Sequence, residues 1–308
     1  TWIQMGNDID GDAPFDNFGS RVSMNGNGDR IAVSATGYGP LSGQVKIYQW
    51  SGTSWVQLGS DLLGVLTEEY FGQSISMNYS GDRIVIGASG DNANGSFSGS
   101  ARVFEWNGTN WVLLGAKING EAADDYSGGS VSMDSSGNRI AVGADLNDGN
   151  GAYAGHVRIY QWDGNNWVQL GIDIDGEDAN DKFGFPVALN SNGDKFVAGA
   201  RLNDGSDINA GHVRAFKLNE PNGIFSQESK DINIYPMPFD SYTKLEFDNE
   251  MHDVFELEIY DILGNKVRRI ESIVSNSLVL EKGDLNSGIY YIELRSSTQT
   301  LKGKVIIE

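Results

Sequence analysis

Gly155-His156-Val157-Arg158-Ile159-Tyr160-Gln161-Trp162-Asp163-Gly164-Asn165-Asn166-Trp167-Val168-Gln169-Leu170-Gly171 is the stretch whose reading decides the fold. Apolar and polar residues alternate on both sides of an Asp-Gly pair, the pattern of two strands joined by a tight turn. Trp162 and Trp167 flank that turn, where a cross-strand aromatic pair adds packing. The stretch returns as GQVKIYQWSGTSWVQLG from Gly43 and as GSARVFEWNGTNWVLLG from Gly99, with starts 56 residues apart. The chain is therefore a repeat array.

Each hairpin is preceded by two more strand-like pieces. The first is Phe18–Met24, Phe71–Met77 or Phe183–Leu189, with Ser127-Gly128 in place of Phe-Gly in the third copy. A short Gly-Asp or Gly-Asn turn follows, then RIAVSA, RIVIGA, RIAVGA or KFVAGA. A Gly- and Asn-rich loop leads into the Trp hairpin, and an acidic loop crosses to the next unit. Four antiparallel strands per unit, repeated, is the pattern of a β-propeller blade. The small residues Ser34, Gly87, Gly143 and Gly199 recur near the end of strand two, where they let adjacent sheets approach. Pro186 lies in strand one, which suits the innermost edge of the blade. The fourth unit lacks strand four, while Thr1-Trp2-Ile3-Gln4-Met5-Gly6 is an orphan copy of it. Either this segment completes the last blade and closes a ring, or further blades lie upstream.

These repeats resemble the FG-GAP family of propeller blades, found in integrin α-subunit heads and many bacterial surface proteins. The resemblance rests on Phe18-Gly19, Phe71-Gly72 and Phe183-Gly184, on Gly87-Ala88, Gly143-Ala144 and Gly199-Ala200, and on the VRIY-like third strand. It covers about two-thirds of the chain. The calcium hairpin of integrin-type blades is reduced here to Asn25-Gly26-Asn27-Gly28-Asp29 and its equivalents. Those turns have too few carboxylates for the ion.

The 308 residues include 40 glycines, six prolines and no cysteine, with 39% hydrophobic residues. This composition gives many turns around a real core and excludes disulfides, zinc–thiolate sites and cysteine nucleophiles. The net charge is −20. Up to Glu220 there are 13 basic and 27 acidic residues, and the remainder has 9 and 15. Both parts are acidic, which argues against nucleic acid or an anionic membrane as partner. No apolar run approaches a transmembrane span. With neither a signal peptide nor an initiator Met at Thr1, the chain reads as a mature product or a fragment.

After a polar linker at 219–230, residues 231–308 lose the repeat. Strand-like runs at Ile232–Tyr235, Lys244–Phe247, Phe255–Tyr260, Ser277–Leu280, Ile289–Leu294 and Lys304–Ile307 predict a small antiparallel β-sandwich. The segment closely resembles the type A sorting domain of the type IX secretion system of Bacteroidetes-like bacteria. Tyr235-Pro236-Met237-Pro238, Ile259 to Val267 (IYDILGNKV), Leu285-Asn286-Ser287-Gly288-Ile289-Tyr290 and Lys304-Val305-Ile306-Ile307 carry that resemblance. The family usually has Asn where Met237 stands. The resemblance implies export across the outer membrane of a Gram-negative cell and recognition of residues 231–308 by the translocon. It also implies removal of the tail with attachment of the cargo to surface lipopolysaccharide.

The densest acidic loops hold Asp8, Asp10, Asp12 and Asp16, and Asp173, Asp175, Glu177, Asp178 and Asp181. Alternating carboxylates around a Gly suit calcium, which takes six to eight oxygens. The competing reading is that Asp, Asn and Gly are turn residues on a solvated rim. The same choice applies to Asp145–Gly149 and to Asn203, Asp204, Gly205 and Asp207. His156 and His212 share one place in successive blades, so a structural role is expected, and no catalytic constellation or cofactor motif is visible. The tryptophans suit sugar stacking less well than an inter-blade clasp. The expected function is non-enzymatic binding or adhesion at the cell surface, toward a protein or glycan ligand. Two alternatives stand beside it: an accessory propeller of a secreted polysaccharide-acting enzyme, and a structural surface protein.

Overall fold

The computed structural model describes residues 1–218, 232–247, 249, 253–261, 265–296 and 300–308. The expected linker at 219–230 and His252 lie outside them. The chain divides into Thr1–Leu218 and Asn219–Glu308.

The first unit is built of four antiparallel sheets in chain order. Blade 1 holds strands Phe18–Met24, Arg30–Ala35, Gln44–Trp50 and Trp55–Gln57, paired in that order. Blade 2 repeats them as Phe71–Met77, Arg83–Ala88, Ser100–Trp106 and Trp111–Leu113. Blade 3 is Ser130–Met133, Arg139–Ala144, His156–Trp162 and Trp167–Gln169. Its first strand is shorter because Ser127-Gly128 replaces Phe-Gly. Among the described residues, blade 4 has Phe183–Leu189, Lys195–Ala200 and His212–Lys217. A fifth, two-residue strand not foreseen in the sequence (Leu62–Leu63, Ile118–Asn119 and Ile174–Asp175) pairs with the start of strand three in blades 1 to 3.

The first strands are sheet edges and stack from blade to blade. Their outward amides are satisfied by hydroxyls of the preceding blade: Met77 N donates to Ser23 Oγ, Met133 N to Ser76 Oγ and Leu189 N to Ser132 Oγ, at 2.9–3.0 Å. The small residues of strand two do what their size predicts. A Cβ on Gly87 would lie 1.9 Å from Gly128 O, and one on Gly143 2.0 Å from Gly184 O. The Ile84, Ile86 and Phe71 side chains between blades are fully buried, each worth about 1.5–3 kcal/mol.

The tryptophans form the clasp. Trp162 and Trp167 pair directly, with ring centroids 5.4 Å apart. Trp111 Nε1 donates to Leu58 O and Trp167 Nε1 to Leu114 O, each reaching the outer strand of the blade before it. At the same end the turns are strung together, with Gly26 N donating to Tyr79 O, Tyr79 N to Ser135 O and Ser135 N to Ser191 O. An open depression of about 200 Å³ is lined there by residues of all four blades, including Gly26, Tyr79, Ser135 and Ser191. The blades thus converge on one axis, as a propeller requires.

The N-terminal segment does not close this propeller onto blade 4. Thr1–Gly6 forms no strand, and Trp55 Nε1 donates to Met5 O, so the segment lies against blade 1. The edge of blade 4 was the expected partner. The segment instead takes the place, relative to blade 1, that the outer strand of each blade takes relative to the next.

The second unit is the expected sandwich. One sheet pairs Ile232–Tyr235, Tyr242–Phe247 and Ser277–Glu281. The other orders Lys266–Ile273, Phe255–Tyr260, Gly288–Arg295 and Thr300–Ile307. Leu245, Leu257, Ile259, Leu280, Ile292 and Leu294 fill its core with no exposure. The Lys266–Ile273 strand was not foreseen in the sequence. It is an edge strand whose cations are paired, Lys266 with Glu258, Arg268 with Asp284 and Arg269 with Glu256.

Candidate functional site

Alternation of strand direction puts two sets of loops at the end opposite the Trp hairpins: those joining strands two and three, and those crossing between blades. They interlock. Asn94 Nδ2 donates to Gly120 O, and Asn150 Nδ2 to Gly176 O and Glu177 O. Backbone bonds run from Tyr126 N to Phe97 O and from Lys182 N to Tyr153 O.

Bulky residues on this face occupy left-handed backbone conformations, repeated from blade to blade. Leu41, Phe97, Tyr153 and Asn209 have φ of 52–59°. Phe15, Tyr70 and Tyr126 do the same in the crossing loops, with φ of 69°, 53° and 56°. Such backbone is costly for large side chains and persists where the surroundings hold it. Here an Asx side chain holds it: Asn92 Oδ1 accepts from Phe97 N, Asp148 Oδ1 from Tyr153 N and Asp204 Oδ1 from Asn209 N, at 2.6–2.8 Å. Phe97 and Tyr126 stack with centroids 5.3 Å apart, while Phe15 is 92% and Tyr153 46% exposed. Glu68, Asp124 and Asp178 stand exposed among them. The face therefore offers aromatic rings on fixed backbone within an acidic field.

Among the described residues, neither acidic loop brings three of its own carboxylates to within 4.8 Å of one another. Asp8 accepts from Gln4 Nε2 and is exposed, as is Asp10. Asp12 is taken by Lys46 Nζ at 2.5 Å, whose hydrogen bond holds its carboxyl below the usual range. Asp16 is buried. Asp173 receives Arg158 through two bonds, and chiefly for that reason its pKa is lowered. Asp175 is half-buried in its short strand, Glu177 pairs with His212 and Arg214, and Asp181 accepts from Asp178 N and Asn203 Nδ2. Within each loop the alternation that suggested an ion sends successive carboxylates to separate partners. In the second acidic set, Asn147 and Asn203 bond the amides of Gly149 and Gly205, as turn residues do.

Among the described residues, one trio brings three candidate metal ligands within 4.8 Å of one another: Glu121, His156 and Asp173. Arg158 pairs with both carboxylates, so half of their charge is already compensated. Burial first, and Arg158 second, push the His156 imidazole below its ordinary pKa. The trio is an inter-blade clamp, since Glu121 comes from the loop that precedes the blade of His156, Arg158 and Asp173. Glu177, His212 and Arg214 repeat it in blade 4. The repeated histidine position thus has the structural setting expected of it.

Comparison with known families matches residues 233–308 to the Secretion system C-terminal sorting domain and residues 65–104 to the FG-GAP repeat. The chain thus carries an FG-GAP repeat and a secretion-system C-terminal sorting domain. The protein is secreted or displayed at the cell surface, and its tail engages the type IX secretion system. No helix among its described residues is long and apolar enough to cross a membrane. No curated protein matches the FG-GAP chain. Among solved structures, it is similar to a putative 6-phosphogluconolactonase from Bacteroides uniformis ATCC 8492 (10% identity, 85% of this chain and 88% of that one, TM-score 0.40). It is also similar to the β-propeller domain of the Trilobed protease from Pyrococcus furiosus (12% identity, 94% and 81%, TM-score 0.39).

Sequence reasoning drew attention to the acidic inter-blade loops, which lie on this face. It missed the aromatic positions. The signal present was the recurrence of Leu41, Phe97 and Tyr153 at one place in successive loops, each of the last two five residues after an Asn or Asp.

Proposed function

We propose that this protein is a non-enzymatic binding module displayed outside the cell, and that its ligand docks on the interlocked loop face. One observation carries the reading: large side chains are presented to solvent on left-handed backbone, Phe15 in the loop before blade 1 and Tyr153 where the Asp148 carboxylate holds its amide. Rigid aromatic surface is what stacking on a sugar ring or packing on a protein side chain needs. The neighbouring carboxylates would accept hydrogen bonds from hydroxyls or cations. The cation–carboxylate pairs beneath the face support a binding rather than a catalytic role, because they leave little free acid–base capacity there. After export, removal of the tail with coupling of the propeller to lipopolysaccharide would fix the module at the outer surface.

The test is a screen of the full chain against extracellular glycans and surface proteins, followed by Phe15→Ala and Tyr153→Ala. Each substitution is expected to weaken a ligand found this way at least tenfold without lowering the melting temperature. Unchanged affinity in both variants would remove the loop face as the site, and turnover of a glycan would remove the non-enzymatic reading.

A further inference from the structure

The first residue of strand three recurs at one place in the blades, at the end that carries the crossing loops, and in two blades it bonds an acid directly. Gln44 Nε2 donates to Asp61 Oδ2 at 2.7 Å, and Ser100 Oγ donates to Asp91 Oδ2 at 3.0 Å. Blade 3 has His156 there. Its side chain is 3% exposed, and its Nδ1 has no hydrogen-bond partner. Two carboxylate oxygens face that nitrogen, Glu121 Oε2 at 3.8 Å and Asp173 Oδ2 at 3.9 Å. Both lie beyond hydrogen-bond reach. A buried nitrogen aimed between two acids and bonded to neither is an exception among folded chains, where buried polar groups find partners.

The groups around it hold the acids in this pose. Arg158 Nε and Gln169 Nε2 donate to Asp173 Oδ1 at 2.9 and 2.6 Å, and Arg158 Nη2 donates to Asp173 Oδ2 at 2.7 Å. Arg158 Nη2 also pairs with Glu121 Oε1, so Oε2 is the oxygen turned toward His156. Partners behind a carboxylate orient it as the outer shell of a metal site does. The two acids and Arg158 together leave one net negative charge. Asp125, buried in the same crossing loop as Glu121, adds to the negative field at His156. Burial and Arg158 favour the neutral imidazole, the form whose lone pair can bind an ion. One ligand atom from each of Glu121, His156 and Asp173 lies within 4.8 Å of the other two. Zinc bonds of about 2.0–2.2 Å set neighbouring ligand atoms about 3.3–3.7 Å apart. The two edges at His156 are nearly at that spacing, and the Glu121 side chain, 45% exposed, has room to close the third.

We propose that Glu121, His156 and Asp173 bind a divalent transition-metal ion of the zinc class, which fastens the loop before blade 3 to the start of its third strand and to the loop after it. The donor set decides the class of ion. Calcium takes six to eight oxygens, whereas these side chains supply one neutral imidazole nitrogen and two carboxylate oxygens, a set that suits zinc. The ion brings two positive charges to a cluster that carries one negative charge, and it gives the buried Nδ1 the partner it lacks. Blade 1 shows the other solution at the same place, where the Gln44 amide spans the gap to Asp61 by itself. All three ligands fall between positions 121 and 173, so the site is complete within the loops and strands around blade 3.

In the test, the full chain is stripped with a chelator at neutral pH and titrated with zinc, with binding followed by titration calorimetry and the melting temperature by scanning calorimetry. One zinc ion per chain is expected to bind and to raise the melting temperature. His156→Gln installs the residue of blade 1. It is expected to keep the melting temperature of the stripped protein, to weaken zinc at least a hundredfold and to abolish the rise. Glu121→Gln, made on a half-exposed side chain, is expected to weaken zinc at least tenfold and decides the matter if His156→Gln does not fold. Cobalt in place of zinc is expected to give visible absorption bands that His156→Gln removes. No saturable zinc binding by the stripped chain would overturn the proposal. Equal binding by the wild type and both variants would overturn it too, by placing the ion elsewhere among the 42 acidic residues. A rise in melting temperature with calcium as large as that with zinc would do the same, because His156 has no part in an oxygen-only site. No arm of the experiment depends on whether the loop face binds a ligand.

Discussion

Blades 3 and 4 share one sequence plan and differ in what lies beyond them. Blade 3 is enclosed. Gly143 touches the backbone of Gly184, Arg139 Nη1 reaches Gly193 O, Ser132 Oγ accepts from Leu189 N, and Trp167 clasps Leu114 O. Blade 4 keeps the strands but changes the side chains that would reach forward: Lys195 for Arg139, Ala188 for Ser132 and Pro186 for Ser130. The comparison teaches that strand pattern specifies a blade, while a handful of small and polar positions specifies its next neighbour. A repeat array of this kind gains stability from interfaces as much as from units.

The largest effect expected from breaking that contrast is at the glycines. Gly143→Ala puts a methyl group into Gly184 O and is expected to destabilise by about 1–3 kcal/mol or more. Gly199→Ala, whose nearest neighbours are Pro186 Cδ at 3.1 Å and Phe185 O at 3.3 Å, is expected to cost well under half of that. Equal losses in a denaturant titration would show that the glycines serve strand geometry and not the interface.

Acid should discriminate next. The His156 pKa is depressed in the fold, so the folded state binds its proton less readily than the unfolded state. Stability is therefore complete above the ordinary value of 6.5 and is lost as pH falls from there through the folded pKa. His156→Gln is expected to flatten the fall in melting temperature between about pH 6.5 and 5. An unaltered profile would place the acid sensitivity elsewhere, and the Asp173 and Asp12 pairs are expected to weaken only below the ordinary carboxylate value of 3.8.

Smaller still is the arginine contrast. Arg139→Ala removes a bridge to the next blade and is expected to cost about 1–2 kcal/mol, while Lys195→Ala should fall within about 0.5 kcal/mol of zero. Trp167→Phe keeps most of the packing and deletes the bond to Leu114 O, for a loss of about 1 kcal/mol. Thermal denaturation of the paired variants measures both.

Much of this architecture could be read from the chain alone. Period-two alternation, the Asp-Gly and Asn-Gly turns and the spacing of the Trp hairpins gave strands one to four of blades 1 to 3 and strands one to three of blade 4. The ordered motifs from Tyr235 to Ile307 gave the sorting domain. What escaped has physical reasons. Leu62–Leu63 and its equivalents are too short for any periodicity to register. Lys266–Ile273 is an edge strand carrying the charged residues Lys266, Arg268, Arg269 and Glu271, so its apolar alternation is too weak to register. The carboxylates of the acidic loops look clustered in one dimension, but Asp173 and Asp12 turn to cations that come from distant positions in the chain. The left-handed residues escaped because nothing in Phe97 or Tyr153 announces a positive φ. The bond from Asn92 or Asp148 that enforces it becomes visible only once the loop is folded.

That bond separates two jobs usually carried by one residue. The acceptor at Asn92, Asp148 or Asp204 fixes the path of the main chain, and the residue five places later, Phe97, Tyr153 or Asn209, supplies only the group that faces outward. The three later blades thus carry interchangeable mounts, each already bearing a different headpiece. Ligand preference in such a protein can drift, or be re-engineered, by swapping headpieces one at a time while the framework that holds them stays untouched.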